Sequence, residues 1–157
     1  MTSIDTAAPV IAEITVPADP ERAFALYVDR PGRTHPREGL SGSPAAVVYE
    51  PLAGGRWYER GSDGREHDWG HVLEWDPPHR LVLAWMVGVR DGAWAYDPDP
   101  RHASRAEITF EAAGDGSTRV RVVHTGFDAH GGGASSIRNG VAGGWHEDLR
   151  DLWNSTR

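Results

Sequence analysis

The hydrophobic pattern of this chain changes period along its length, and the changes predict its elements. From Val10 to Val16 apolar and polar positions alternate, with Val10, Ala12, Ile14 and Val16 on one face and Glu13 and Thr15 on the other, the two-residue repeat of a half-buried strand. Pro17 ends it. Asp19-Pro20-Glu21 then supplies an N-cap, a proline at the first helical position and an acid in the first turn, which predicts a short helix through Ala23, Leu26 and Tyr27 that Pro31-Gly32 closes. The Gly-, Pro- and Ser-rich stretch that follows, as far as Pro44, predicts a loop with at most one helical turn.

From Ala45 to Thr125 strand signals dominate, punctuated by Gly54-Gly55, Asp63-Gly64, Asp76-Pro77-Pro78 and Asp115-Gly116. They predict a meander with strands near 45–50, 55–60, 67–75, 80–87, 104–112 and 117–125, and a long connection from Asp91 to His102 that carries Trp94 and Tyr96. In the last two strands Ala106, Ile108, Phe110, Val120 and Val122 share an apolar face, opposite Glu107, Glu111, Arg119 and Arg121. The next position on that apolar face is His124. A second polar group stands in the same situation in Gly54–Gly61, GGRWYERG, where Glu59 shares a strand face with Trp57.

The tail takes a helical period. From Ser135 or Ser136, the residues Ile137, Val141, Trp145, Leu149, Leu152 and Trp153 recur at spacings of three and four, with Arg138, Glu147, Arg150 and Asp151 on the polar back. Gly140, Gly143 and Gly144 each weaken that helix by roughly 1 kcal/mol against alanine, which implies close approach of its backbone to another element or to a ligand. One strand, a short helix, six strands and a long amphipathic helix make an α+β domain with helices on one side of an antiparallel sheet. A strongly curved sheet does not lie flush against a straight helix, so the space between them is filled by large side chains or left as a cavity.

Composition narrows the function. The chain of 157 residues suits a single domain, with residues 1–9 expected to be flexible. A formal charge of −7 argues against nucleic acid or an anionic membrane as partner, and all the cationic side chains are arginine. There is no cysteine, hence no disulfide, thiolate chemistry or Cys-ligated metal, and no apolar run near the ~20 residues of a membrane span or signal-like start, so a soluble cytoplasmic protein is expected. No P-loop or dinucleotide fingerprint is present. The run HGGGAS precedes a helix without a preceding βαβ unit and reads as a hinge, with Phe127 and His130 bordering the cavity mouth, and no cofactor is expected.

The segments VPADPERAFALY, GGRWYERGSDGREHDWGHVLEWDPPHRLVLAW, ITFEAAGDGSTRVRVVHTGF and GGWHEDLRDLW resemble the SRPBCC superfamily, also called START-like or Bet v 1-like, in its branch similar to the activator of Hsp90 ATPase C-terminal domain (AHSA1-like). GGRWYE, the aspartate-Pro-Pro turn, H-x-G-F and the Gly-Trp of the final helix look especially like the calicheamicin self-resistance type. The resemblance implies a helix-grip fold, in which a seven-stranded curved antiparallel sheet wraps a long C-terminal helix around a hydrophobic cavity. It implies no universal catalytic residue. In the self-resistance type a reactive ligand abstracts hydrogen from a glycine Cα; Gly88 and Gly92 hold comparable positions, but their neighbours do not match, and they read as turn residues.

On this frame Glu59 and His124 face the cavity, where a carboxylate and an imidazole can shift each other's pKa values, and the alternative for Glu59 is a strand end pointing to solvent. Trp57, Trp85 and Trp145 read singly as core, but with Trp69 and Trp94 they would make walls suited to a planar, polycyclic ligand. Phe110, Val122, Phe127 and Val141 complete the expected lining. A two-residue turn at Asp63-Gly64 sets Trp57 and Glu59 on the face of Asp68, Gly70 and Val72; a loop longer by one residue sets them with His67, Trp69 and His71. The second register would gather metal-ligand types, yet histidines scattered over a meander read as solvated and no metal is expected. The leading expectation is a non-enzymatic domain binding a small hydrophobic or aromatic molecule for sequestration or self-resistance, as monomer or homodimer. The alternatives are a cyclase- or hydrolase-like enzyme using Glu59 and His124, and an Hsp90-associated interaction domain.

Overall fold

The computed structural model describes residues 8–29 and 44–157. The loop predicted from Pro31 lies outside these residues except for Pro44, as do the first seven of the leading nine. The described elements run β1 (Val10–Val16), α1 (Pro20–Val28), β2 (Pro44–Tyr49), β3 (Arg56–Gly61), β4 (Glu66–Asp76), β5 (Arg80–Trp85), β6 (Val87–Arg90), β7 (Ala93–Tyr96), β8 (Ser104–Gly114), β9 (Ser117–Thr125) and α2 (Ala134–Ser155). Seven of the strands make one antiparallel sheet in the order β1-β9-β8-β5-β4-β3-β2, which curls around the C-terminal helix, while β6 and β7 pair with each other.

Local chemistry places both helices. The Asp19 carboxylate accepts from the Arg22 backbone N–H at 2.8 Å, Pro20 occupies the first turn, and the helix so started buries Ala23, Phe24 and Tyr27. Phe24 sets its edge on Trp75 at 5.2 Å and tilts against Phe110 at 5.0 Å, closing one end of the core. The long helix buries Ile137, Val141, Trp145, Leu149 and Leu152, the predicted stripe, and begins one residue before Ser135. It also buries Asp148, which accepts a 2.6 Å hydrogen bond from the Tyr27 hydroxyl and so ties α2 to α1.

In β8 and β9 the predicted face is the observed one: Ile108 lies opposite Val122, Phe110 opposite Val120 and Ala106 opposite His124, all buried. Three features depart from the expectation. The β3–β4 hairpin has both registers at once, with Glu59 opposite His67 near the turn, Trp57 opposite Gly70 farther on, and a bulge at Trp69 between them. Gly70 follows the bulge because a Cβ there would run into the Ala84 carbonyl oxygen. The strand expected over 80–87 stops at Trp85, and the supposed connection after it holds the β6–β7 hairpin, turned by Asp91 and Gly92 at φ of 52° and 77°. The supposed HGGGAS hinge is largely ordered as a 3₁₀ turn, Phe127–Gly133, that runs into α2.

Candidate functional site: an indole-walled cavity

A cavity of about 320 Å³ lies between the sheet and the glycine-rich turns of α2. Trp69 from β4, Trp85 from β5 and Trp94 from β7 line it on one side, and Gly140, Val141, Gly143, Gly144 and Glu147 of α2 on the other. The wall rings stand steeply to one another: Trp69 and Trp85 at 5.2 Å and 64°, Trp85 and Trp94 at 6.2 Å and 77°. Two of the glycines have separate reasons. A Cβ on Gly140 would sit 2.7 Å from Cζ2 and 2.9 Å from Cη2 of Trp94, so this glycine admits the indole that reaches over from the hairpin. A Cβ on Gly143 would meet nothing within 4 Å, so that position keeps the wall open.

The rings are held from behind. Trp69 donates its indole N–H to Glu59 Oε1 at 2.7 Å, and Trp85 donates to the Val87 carbonyl oxygen at 2.8 Å. Glu59 is only 1% exposed, one layer deeper than the cavity. In that layer Trp57 stacks on Tyr49 at 6.0 Å and 10°, and packs against both Trp69 and Trp85. Its own indole N–H has no partner among the described residues.

His124 sits in a directed chain of hydrogen bonds. The Trp145 indole donates to His124 Nδ1 at 3.0 Å, so that nitrogen is unprotonated and the neutral ring carries its hydrogen on Nε2. Nε2 then donates to Ser104 Oγ at 2.7 Å, which leaves the Ser104 hydroxyl to donate to His130 Nε2, also at 2.7 Å. Burial pushes the His124 pKa down to about 3, reinforced by the neighbouring His130, whose own value burial also lowers. The neutral form is the one the chain requires. Glu59 and His124 are therefore not hydrogen-bonded to each other: both ring nitrogens of His124 are taken, and Trp85 packs against His124 on one side and Trp69 on another.

The model of the activator of Hsp90 ATPase homolog 1-like protein family matches residues 17–154. The chain belongs to this family. Among solved structures it is similar to an anthrahydroquino-γ-pyrone synthase, Txn09, with 35% identity over 97% of this chain and 99% of that one and a TM-score of 0.66. It is also similar to CalC from Micromonospora echinospora, a self-sacrificing resistance protein, with 30% identity over 96% of this chain and 94% of that one and a TM-score of 0.66. Protein Ms6760 from Mycobacterium smegmatis, at 22% identity and a TM-score of 0.64 over 94% and 90% of the two chains, shares the fold. No curated protein sequence matches.

Within this family frame, Trp69, Trp85, Trp94 and Val141 of the expected lining reach the cavity, while Trp57, Glu59, His124 and Trp145 form the layer that supports it. Phe127 packs on His124 at 4.4 Å, and Phe110 and Val122 lie in the core away from the cavity. Glu147, counted from sequence as solvent-facing, borders the cavity. Ser104, which joins His124 to His130, carries no motif that marks it, while His130, expected at the cavity mouth, ends the hydrogen-bonded chain. Among the described residues no group of three His, Asp or Glu side chains gathers to hold a metal ion, and no helix is long and apolar enough to cross a membrane.

Proposed function

We propose that the protein binds a planar polycyclic aromatic molecule in the indole-walled cavity between the sheet and α2. The observation that carries this reading is the pairing of three tryptophan walls with a helix stripped to glycine where it faces them. The volume of 320 Å³ falls at the lower end of the roughly 300–1,000 Å³ typical of ligand pockets, room for a few fused rings. Trp69 and Trp85 are buried and fixed through their N–H groups, so little side-chain entropy is lost when a ring settles on them. Trp94, 41% exposed on the hairpin, is the wall with freedom to adjust. An anthrahydroquinone fused to a pyrone, the product class named for Txn09, is flat and multi-ringed, which supports the same ligand shape here.

Among the described lining residues Glu147 alone is ionisable, which suits holding a ligand, as in sequestration or resistance, better than proton shuttling. The likeness to Txn09 favours a second reading, a ring-closing synthase that works mainly by folding its substrate between the walls. Titration of intrinsic tryptophan fluorescence with fused-ring aromatics, alongside flexible lipids, tests the first reading. Saturable quenching by the flat molecules supports it, and equal or better response to the lipids refutes it. Multiple-turnover formation of a pyrone from an open-chain phenolic precursor, above the rate in buffer, would favour the synthase.

A further inference from the structure

The hydrogen-bonded chain that begins at Trp145 runs one way only, and it ends on a histidine that water can reach. An indole N–H cannot accept, so Trp145 fixes His124 with its hydrogen on Nε2, and Ser104 Oγ accepts from His124 and donates to His130 Nε2. His124 is 0% and Ser104 2% exposed, whereas His130 is half-buried. A proton taken up at His130 Nε2 removes the acceptor of the Ser104 hydroxyl, and the chain cannot reverse to supply another. A buried hydroxyl that faces two N–H donors is unfavourable, and of the two histidines only His130 can turn to water.

What His130 holds is the start of α2. It lies in the 3₁₀ turn Phe127–Gly133, which packs on β6, β8 and the short turn Pro100–His102 and runs directly into the helix. Phe127, buried against His124, anchors one end of the turn. Beyond His130 come Gly131, at φ of 68°, Gly132 and Gly133, and the helix begins at Ala134 with no side-chain cap and no acid in its first turn. We infer that His130 is an acid-sensitive latch: its protonation frees the glycine run and the first turn of α2 from β8 and loosens the helix toward Gly140, at the edge of the cavity. The inference does not depend on what the cavity holds. Two charged groups act on His130, Asp97 just after β7 favouring the cation and His102 opposing it, while the neighbouring His124 is neutral; from α2 and β6 none does among the described residues. Burial is the largest influence and holds the His130 pKa below the ordinary 6.5, so the latch is complete above that pH and is lost as pH falls.

The test is hydrogen exchange of the full chain, read by mass spectrometry at about pH 7 and about pH 5 and corrected for intrinsic rates, a range over which His124, with its pKa at about 3, stays neutral. Protection of residues 130–137 should fall about tenfold relative to β8 and β9 on going to the lower pH. His130→Gln, whose side-chain carbonyl accepts from Ser104 but does not titrate, should keep that protection at both pH values. Ser104→Ala should lose it at both. Protection that does not change with pH in the unaltered protein, that falls equally in His130→Gln, or that survives in Ser104→Ala overturns the latch.

Discussion

Replacing Gly143 with leucine should move stability and binding in opposite directions. Gly143 lies inside α2, its Cβ would meet no heavy atom within 4 Å, and it faces the cavity. Glycine costs about 0.8–1.0 kcal/mol against alanine in a helix interior and leucine is close to alanine, so Gly143→Leu should stabilise the fold by about 1 kcal/mol. For a chain of this length that raises Tm by about 2–4 °C. The same side chain would stand opposite the wall tryptophans and deny a flat ligand at least one or two ring contacts, each worth about 0.5–1.5 kcal/mol, which weakens binding by about tenfold or more. Calorimetric unfolding and titration with anthracenemethanol measure both on one sample. A lowered Tm would show that the space beside Gly143 is not empty. A raised Tm with unchanged affinity would refute the placement of the ligand between the sheet and α2. Gly140→Ala is the contrasting control, since its methyl would press on Trp94 and part of the same helical gain should be lost to displacing that ring.

Three other outcomes are expected. Because burial holds the folded-state pKa of His124 near 3, below the ordinary 6.5, the unfolded chain binds more protons between those values. The histidine's contribution is therefore complete above about pH 6.5 and is lost as pH falls toward 3, at about 1 kcal/mol per unit; His124→Gln should flatten the decline of Tm over pH 6.5–4, and an unchanged slope would count against a buried neutral imidazole. Tyr27→Phe removes one hydrogen bond from the buried Asp148 carboxylate and should cost about 1.5–3 kcal/mol in urea unfolding, whereas a cost near zero would mean the α1–α2 tie is not formed in solution. Glu59→Gln keeps an acceptor for the Trp69 indole, but Glu59→Leu leaves that buried N–H without it; the leucine variant should be less stable than the glutamine variant by about 1–3 kcal/mol in the same assay, and equal stabilities would contradict the Trp69–Glu59 bond.

What could be read from the sequence is what one element displays by itself. Strict alternation in β8 and β9 exposed their register and put His124 on the buried face, and three glycines in an amphipathic stripe pointed to the surface of α2 that the cavity uses. The bulge at Trp69 was not legible, because a bulge is a property of a pair of strands and either register of β3 against β4 agreed with the residues of each. The Asp91-Gly92 turn was written in the chain, flanked by alternating residues, yet its hairpin lies outside the main sheet and so breaks no strand count when it is read as a connection. Asp148 was hidden for another reason: its partner Tyr27 is 121 residues away, and without that partner an acid on a helix reads as surface.

The carboxylate beside Trp57 and the histidine at the end of an apolar strand face have a common explanation in the tryptophans. A buried indole brings a large apolar body and one N–H that needs an acceptor. Glu59 accepts from Trp69, His124 accepts from Trp145, and the Val87 carbonyl at the break between β5 and β6 accepts from Trp85. Polar residues at apolar positions are thus where a core with this much indole keeps its acceptors. The protonation of His124 follows from the same need, since an imidazolium could not accept at Nδ1 and the buried ring stays neutral. These acceptors also fix which way the rings face. With their N–H groups turned inward, Trp69 and Trp85 leave ring surface for the cavity, so the polar residues one layer behind the wall set the chemistry of a site they do not line.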